Sequence, residues 1–132
     1  MSDNSAPRWG SEMLSVLRIV SALIFLLHGS QKLFGVPATD QQPPLMSLMG
    51  VGGVLEFVGG LLLLVGFLTR PVAFVLSGMM AVAYFQFHAM AGGLFPMVNG
   101  GELAALYCWV FLYLVFAGPG ALSVDGILAK KA

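Results

Sequence analysis

Four long apolar stretches constrain this chain more than any other feature of its sequence, and they cover residues 13–33, 46–68, 71–90 and 102–118. A helix needs about 20 mostly apolar residues to cross a bilayer. The run LLLLV at 61–65 lacks the alternation of a membrane β-barrel strand. We therefore predict an all-α protein, a single membrane domain built as a four-transmembrane-helix antiparallel bundle.

The composition excludes the common soluble classes. Apolar residues make up 58% of the 132 residues and charged residues only 9%, whereas soluble domains carry about 25% charged residues. The formal net charge is zero, so no basic field attracts a nucleic acid. Two histidines and one cysteine are too few for a disulfide framework or a cysteine-rich zinc site. We predict no metal site and no nucleic-acid partner.

Lys and Arg are distributed unevenly between the two sides of the membrane. One side would carry Arg8, Arg70, Lys130 and Lys131. The other side would carry Lys32 alone, so the positive-inside rule predicts that both termini are cytoplasmic. We therefore predict a multi-pass protein of the bacterial inner (plasma) membrane. The short amphipathic tail 121–132 either lies on the membrane surface or frays.

Ionisable side chains inside the spans are the strongest markers of a site, because each costs about 2.5–3.5 kcal/mol to insert at a helix centre. They are Arg18, His28, Lys32, Glu56, His88 and Glu102. With a rise of about 1.5 Å per residue, His28, His88 and Glu102 lie at nearly the same depth on three helices. This layer is near the outer boundary, and Lys32 lies one turn above His28.

Polar side chains also share helical faces. The stripes are Arg18, Ser21, Phe25, His28 and Lys32 on the first helix, Ser77, Ala81, Tyr84 and His88 on the third, and Glu102, Leu106, Trp109 and Tyr113 on the fourth. Such stripes face the interior of a membrane bundle rather than lipid. The ligand-binding residues that we predict are His28, Gln31, Lys32, Tyr84, His88, Glu102 and Trp109.

Glu56 lies deeper in the second span, where a carboxylate must be protonated or paired. Arg18 is its expected partner by face and side-chain length, although it starts about 10 Å lower. We predict a buried structural ion pair between Arg18 and Glu56, in preference to a proton relay. The glycines that share the face of Glu56 are Gly52, Gly53, Gly59 and Gly60. Small residues at this spacing predict close helix packing.

Two alternatives to a ligand site stay open. In the first, the layer is structural: the histidines are satisfied in the core, Glu102 complements its helix dipole, and Lys32 extends to the interface. In the second, His28 and His88 hold a haem as paired axial ligands. We disfavour haem because the surrounding polar groups suit an ion-paired cluster better. The motifs predict no catalytic residue set.

Four segments resemble the DoxX-like family of small membrane proteins. They are residues 28–35 (HGSQKLFG), 61–70 ending in GFLTR, 99–104 (NGGELA) and 118–125 (GPG followed by SVD). The resemblance extends over nearly the whole chain. The positions that match the recurring polar pattern of the family are His28, Gln31, Lys32, Glu56, Arg70, His88 and Glu102.

The resemblance implies a redox context, because the family is named after a subunit of an archaeal quinol oxidase and thiosulfate–quinone oxidoreductase system. Relatives are linked to membrane-associated thiol and oxidative-stress chemistry, but the lone Cys108 argues against thiol exchange by this chain alone. Our first hypothesis is a small accessory or anchoring subunit of a redox or respiratory complex, with a quinone near the outer face. The alternative is a non-enzymatic carrier, lipid-handling or assembly protein. Its partners would be the bilayer, other membrane or redox subunits, or further copies of itself.

Overall fold

The computed structural model describes residues 8–132, and describes Arg8 for its backbone alone. The regular structure in these residues is entirely helical. The elements are α1 (Arg8–Phe34), α2 (Leu48–Val65), α3 (Thr69–Ala83), a π-helical segment (Tyr84–Ala89), α4 (Met90–Gly92), α5 (Pro96–Asn99), α6 (Glu102–Ala117) and α7 (Val124–Lys131). The side chain of Arg8, whose charge contributes to the predicted membrane orientation, lies outside the described part of the structure.

Three stretches of the described chain are long and apolar enough to cross a membrane, namely Trp9–Phe34, Leu48–Val65 and Thr69–Gly92. The third stretch joins α3, the π-helical segment and α4 into one helix. The helix α6 is apolar and shorter, with 16 residues. Its length is about 24 Å, against about 30 Å for the hydrocarbon core of a bilayer. The predicted all-helical membrane bundle is confirmed.

Local signals define both ends of α2. The hydroxyl of Ser47 accepts a hydrogen bond of 3.1 Å from the backbone N–H of Gly50, which caps the start of the helix. The helix ends at Gly66, whose φ of 71° is left-handed and favours glycine. The chain then turns back within a few residues, so α2 and α3 run antiparallel.

The helices form two closely packed pairs, α1 with α2 and α3 with α6, whereas α2 and α3 contact each other less extensively. Glycine permits the approach of α1 to α2. A Cβ atom on Gly29 would lie 2.5 Å from the amide nitrogen of Phe57, and one on Gly53 would lie 2.9 Å from the Cβ of Lys32. These approaches fix the register in which Lys32 lies beside the first half of α2.

An aromatic cluster joins the two helix pairs in the core. Phe25 of α1 contacts Phe111 of α6 edge-on, with a ring-centroid distance of 4.9 Å, and contacts Tyr107 at 5.1 Å. Edge-to-face pairs of this kind contribute about 0.5–1.5 kcal/mol beyond their buried area. The cluster holds α1 against α6 at mid-height in the bundle.

Arg18 organises the opposite end of the bundle from the α1–α2 loop, which we call the tail end. Arg18 is 1% exposed, and its guanidinium donates to three backbone carbonyls. The acceptors are Leu63 at 2.8 Å, Leu122 at 2.7 Å, and Pro119. Since Leu63 lies in the last turn of α2 and the other two acceptors precede α7, this side chain ties α1 to both segments.

Asp125 of α7 completes this end by capping α3. Its carboxylate accepts hydrogen bonds of 2.9 Å from the backbone N–H groups of Leu68 and Thr69. Burial alone would raise the pKa of Asp125, but these hydrogen bonds and the charge of Arg18 outweigh it and hold the pKa below its usual value. Residues 124–131 therefore form a helix that is tied to the bundle.

Candidate functional site

A cavity of about 440 Å³ lies between the two helix pairs, at the end of the bundle where α1 ends and α2 begins. Its polar lining residues are His28, Lys32, Glu56, Gln86 and His88. Much of the remaining wall consists of Phe25, Met49, Met79, Met80, Phe87 and Tyr107. Small-molecule sites commonly occupy about 300–1,000 Å³ and combine apolar walls with a few polar groups. The cavity has the size and lining of such a site.

Lys32 and Glu56 form an ion pair in this cavity. The Nζ atom of Lys32 donates to the Oε1 atom of Glu56 at 2.7 Å, and the two side chains are 25% and 7% exposed. The other carboxylate oxygen, Oε2, is buried and has no hydrogen-bond partner among residues 8–132. A buried polar atom without a partner costs about 1–3 kcal/mol. A hydrogen-bond donor that reached this atom would remove the cost.

The predicted ion pair between Arg18 and Glu56 is wrong. Arg18 donates to backbone carbonyls at the tail end, and Glu56 pairs with Lys32 instead. The cause is the antiparallel register of α1 and α2, which places Lys32 beside Gly53 and Arg18 beside the last turn of α2. Lys32 therefore does not simply extend to the membrane interface.

His28 and His88 both line the cavity from different helices. His28 is half-buried on α1, one turn before Lys32. The Nδ1 atom of His88 lies 3.2 Å from the carbonyl oxygen of Asn99. Because a carbonyl accepts, Nδ1 is the donor there, and Nε2 of the neutral ring is an acceptor.

His88 belongs to the π-helical segment, and π-helical turns occur frequently at functional sites. Tyr84 begins this segment, is buried and does not line the cavity. Its hydroxyl donates to the carbonyl of Leu94 and accepts a bond of 3.2 Å from the side chain of Asn99. Tyr84 therefore positions the connection that carries Asn99, and acts on His88 indirectly.

Three other predicted ligand-binding residues lie outside the cavity. The amide of Gln31 donates to the carbonyls of Pro37 and Ala38, at 3.3 and 3.4 Å, and so holds the loop after α1. Glu102 is exposed at the start of α6. Trp109 is 69% exposed on the outer surface of α6. The structure thus joins His28 and His88 to Lys32 and Glu56 rather than to Glu102.

The predicted inward face of α6 is wrong. Its buried side chains are Tyr107, Phe111 and Leu114, whereas Trp109 and Tyr113 face outward. Polar residues are a poor guide to the orientation of this helix, because nearly every residue of α6 is apolar, and Trp and Tyr also suit the lipid interface. Aromatic packing against Phe25 decides the face instead.

Sequence reasoning also missed two residues that shape the cavity. Tyr107 lines it, and the spacing of Tyr107, Phe111 and Leu114 by four and three residues was the available signal. Gly52 lines it as well, and a Cβ atom there would meet nothing within 4 Å. Gly53 therefore permits the close packing of α1 against α2, whereas Gly52 leaves space in the cavity.

Comparison with known proteins agrees with this architecture. The DoxX family model matches residues 13–89, which include the first two predicted spans and all but the last residue of the third. No solved structure is significantly similar to the chain.

The relatives include proteins named for the inner membrane. An uncharacterised protein of Haemophilus influenzae is 42% identical and covers 97% of this chain and 99% of its own length. Inner membrane protein YqjF of Escherichia coli is 36% identical, over 88% of this chain and 92% of its own. Inner membrane protein YphA of the same organism is 29% identical, over 86% and 88%. Together with the apolar helices, these similarities indicate a multi-pass protein of the bacterial inner membrane.

Proposed function

This chain belongs to the DoxX family, and we propose that it is a small subunit of a quinone-linked redox complex that binds a quinone head group in its cavity. The observation that carries the proposal is the buried Oε2 atom of Glu56, which lacks a hydrogen-bond partner in the described chain. It lies on the carboxylate that Lys32 contacts at 2.7 Å. Lys32 and Glu56 both line the cavity, so a donor and an acceptor lie side by side at its wall.

This pairing suits both redox forms of a quinone. The oxidised form has carbonyl oxygens that accept hydrogen bonds, and the reduced form has hydroxyls that also donate them. The ammonium of Lys32 is a donor alone, and the carboxylate of Glu56 is an acceptor alone. Phe25, Phe87 and Tyr107 line the same cavity and supply apolar surface for a flat ring.

Redox chemistry on the quinone requires protons and electrons. A quinone, when bound, takes up both and releases both on reoxidation. Glu56, His28 and His88 line the cavity and can exchange protons with the quinone. As part of this proposal, we assign the electron donor to a partner subunit.

Binding of a tailless quinone tests the proposal directly. Isothermal titration calorimetry of the purified protein in detergent with 2,3-dimethoxy-5-methylbenzoquinone would measure the affinity. The variant Lys32→Met/Glu56→Leu removes the donor and the acceptor together and leaves no unpaired buried charge. We expect it to bind at least about tenfold more weakly, since a hydrogen bond to a charged group contributes about 1.5–3 kcal/mol.

Lys130→Met on the exposed tail helix is the matched control and should bind like the unchanged protein. Circular dichroism and size-exclusion chromatography would establish that both variants are folded. The proposal fails if the unchanged protein does not bind the quinone, or if the double variant binds it equally well. Retention of phospholipid without quinone would favour the lipid-handling alternative.

A further inference from the structure

The cavity opens sideways into the membrane, between α2 and α3. Several of its lining residues are also exposed on the lipid-facing surface, including Val51 and Leu55 on α2 and Val82 on the facing helix. Their exposed fractions are 48%, 41% and 59%. A ligand dissolved in the membrane can therefore reach Lys32 and Glu56 without crossing the aqueous loops.

An apolar groove continues from the cavity toward the tail end along the same seam. It holds a second cavity of about 260 Å³ whose lining is apolar, including Val58, Leu62, Val72 and Val75. Leu55 lines both cavities. From Leu48 to Leu62 the seam is about 21 Å long at about 1.5 Å per residue. The two cavities thus follow one another along the seam, the first with polar groups in its lining and the second with an apolar lining.

Gly59 lies at the floor of the groove and explains its shape. A Cβ atom at this position would lie 2.8 Å from a methyl carbon of Leu76, so α2 and α3 meet closely there. Val58 and Val75 flank this contact and are about half exposed, at 49% and 54%. The seam is therefore closed at its floor and open along its lipid-facing side.

The charges at the polar end of the seam favour a neutral head group over an anionic one. Lys32 is already paired with Glu56 at 2.7 Å. No other Lys or Arg lines the cavity in the described part of the chain. A phosphate head group would therefore meet no unpaired lysine or arginine, whereas a neutral head group is matched by a donor and an acceptor whose charges cancel.

We propose that the ligand is a neutral quinone with a long hydrocarbon tail, whose tail lies in the groove between α2 and α3 while its head group lies at Lys32 and Glu56. This inference rests on the proposed function and narrows its substrate class. It excludes tailless quinones as the natural ligand and anionic phospholipids as occupants of the site.

Photo-crosslinking tests where the tail lies. A quinone that carries a diazirine at the end of a decyl tail would be irradiated with the protein in phosphatidylcholine nanodiscs, and adducts would be located by mass spectrometry. We expect adducts concentrated on residues 58–62 and 71–76. Val58→Trp fills the groove and should reduce these adducts about tenfold. Val65→Trp is the matched control, because Val65 is also 49% exposed on α2 and lies outside both cavities.

Three outcomes overturn the inference. Adducts spread over the lipid-facing sides of α1 and α6 would mean that the tail has no fixed position. Equal labelling of Val58→Trp and Val65→Trp would mean that the groove does not hold it. Displacement of the labelled quinone by added phosphatidylglycerol would mean that the site accepts anionic lipid. In each case, continued binding of the tailless quinone leaves the proposed function standing, whereas loss of that binding removes both.

Discussion

Glu56 shows that a buried carboxylate needs a partner of opposite charge. Its partner Lys32 is the more exposed member of the pair, at 25% against 7%. Lys32 is therefore the more accessible member of the pair, and the free carboxylate oxygen belongs to the more buried one. This asymmetry separates the roles of the two side chains, because Lys32 is the accessible donor and Glu56 the desolvated acceptor.

Removing Lys32 alone should destabilise the protein. Lys32→Met leaves the Glu56 charge buried without a partner, and we expect a loss of about 1–3 kcal/mol, below the 3–5 kcal/mol of fully buried pairs because Lys32 is 25% exposed. Adding Glu56→Leu should recover most of this loss. Unfolding in mixed dodecyl maltoside and SDS micelles would measure all members of the double-mutant cycle. A double variant as unstable as Lys32→Met alone would contradict this account of the pair.

Asp125 gives the protein a defined acid sensitivity. Its pKa lies below the usual value in the folded state, so its stabilising effect is fully present above the unfolded-state pKa. That effect is lost as the pH falls through the lower, folded-state pKa. We expect Asp125→Asn to cost about 1–3 kcal/mol at neutral pH, because the amide has one acceptor oxygen and leaves one of the two backbone N–H groups unpaired.

Asp125→Asn should also flatten the decline of stability with acid. Thermal unfolding followed by circular dichroism between neutral and strongly acidic pH would measure both effects. The capping role would be refuted if the variant and the unchanged protein kept the same stability difference at every pH.

The pairing of α1 with α2 depends at the element scale on glycine. At Gly29 an added methyl group would lie 2.5 Å from a backbone nitrogen of α2, which cannot move aside as a side chain could. We expect Gly29→Ala to destabilise the protein by about 1–3 kcal/mol through overpacking.

Gly78→Ala is the control for this substitution. A Cβ atom there meets nothing within 4 Å, and alanine is favoured over glycine inside a helix by about 1 kcal/mol. The control should therefore be neutral or stabilising in the same unfolding assay. If Gly29→Ala were equally well tolerated, the helices would not be as close as described.

Sequence patterns predicted the helices better than their contacts. Apolar length is a property of each segment, and it identified the all-helical bundle because a membrane span needs little else. The polar stripe of α1 was also predictive, since Arg18 and Phe25 are each 1% exposed. The face of α6 was not predictable in this way, because an evenly apolar helix is oriented by aromatic packing with its neighbours.

The two ends of the bundle show why partners are harder to predict than positions. Arg18 bonds carbonyls that every residue possesses, so no side-chain pattern marks Leu63 or Leu122 as its acceptors. The partner of Glu56 depends on the register of two helices, which Gly29 and Gly53 set through close approach. The π-helical segment likewise has no marker in the residue spacing. The sequence nevertheless identified the four cavity residues that are costly to insert into a membrane, namely His28, Lys32, Glu56 and His88.

The whole molecule thus combines a tail end closed by hydrogen bonds with an opposite end that holds a cavity. The closed end stabilises the bundle, while the less extensive contact between α2 and α3 leaves room for a ligand. A side chain that fills this cavity should weaken ligand binding without unfolding the protein. Gly52 permits this, because it lines the cavity and its Cβ position is unobstructed.

The affinity of a tailless quinone for Gly52→Phe, measured by calorimetry beside Gly78→Phe, tests the central claim most directly. Both substitutions place a phenyl ring on a helix at a position open for a Cβ atom, and only Gly52 lines the cavity. We expect Gly52→Phe to bind at least about tenfold more weakly, and Gly78→Phe to bind like the unchanged protein. Equal affinity in Gly52→Phe and the unchanged protein would contradict the claim that the quinone binds in this cavity.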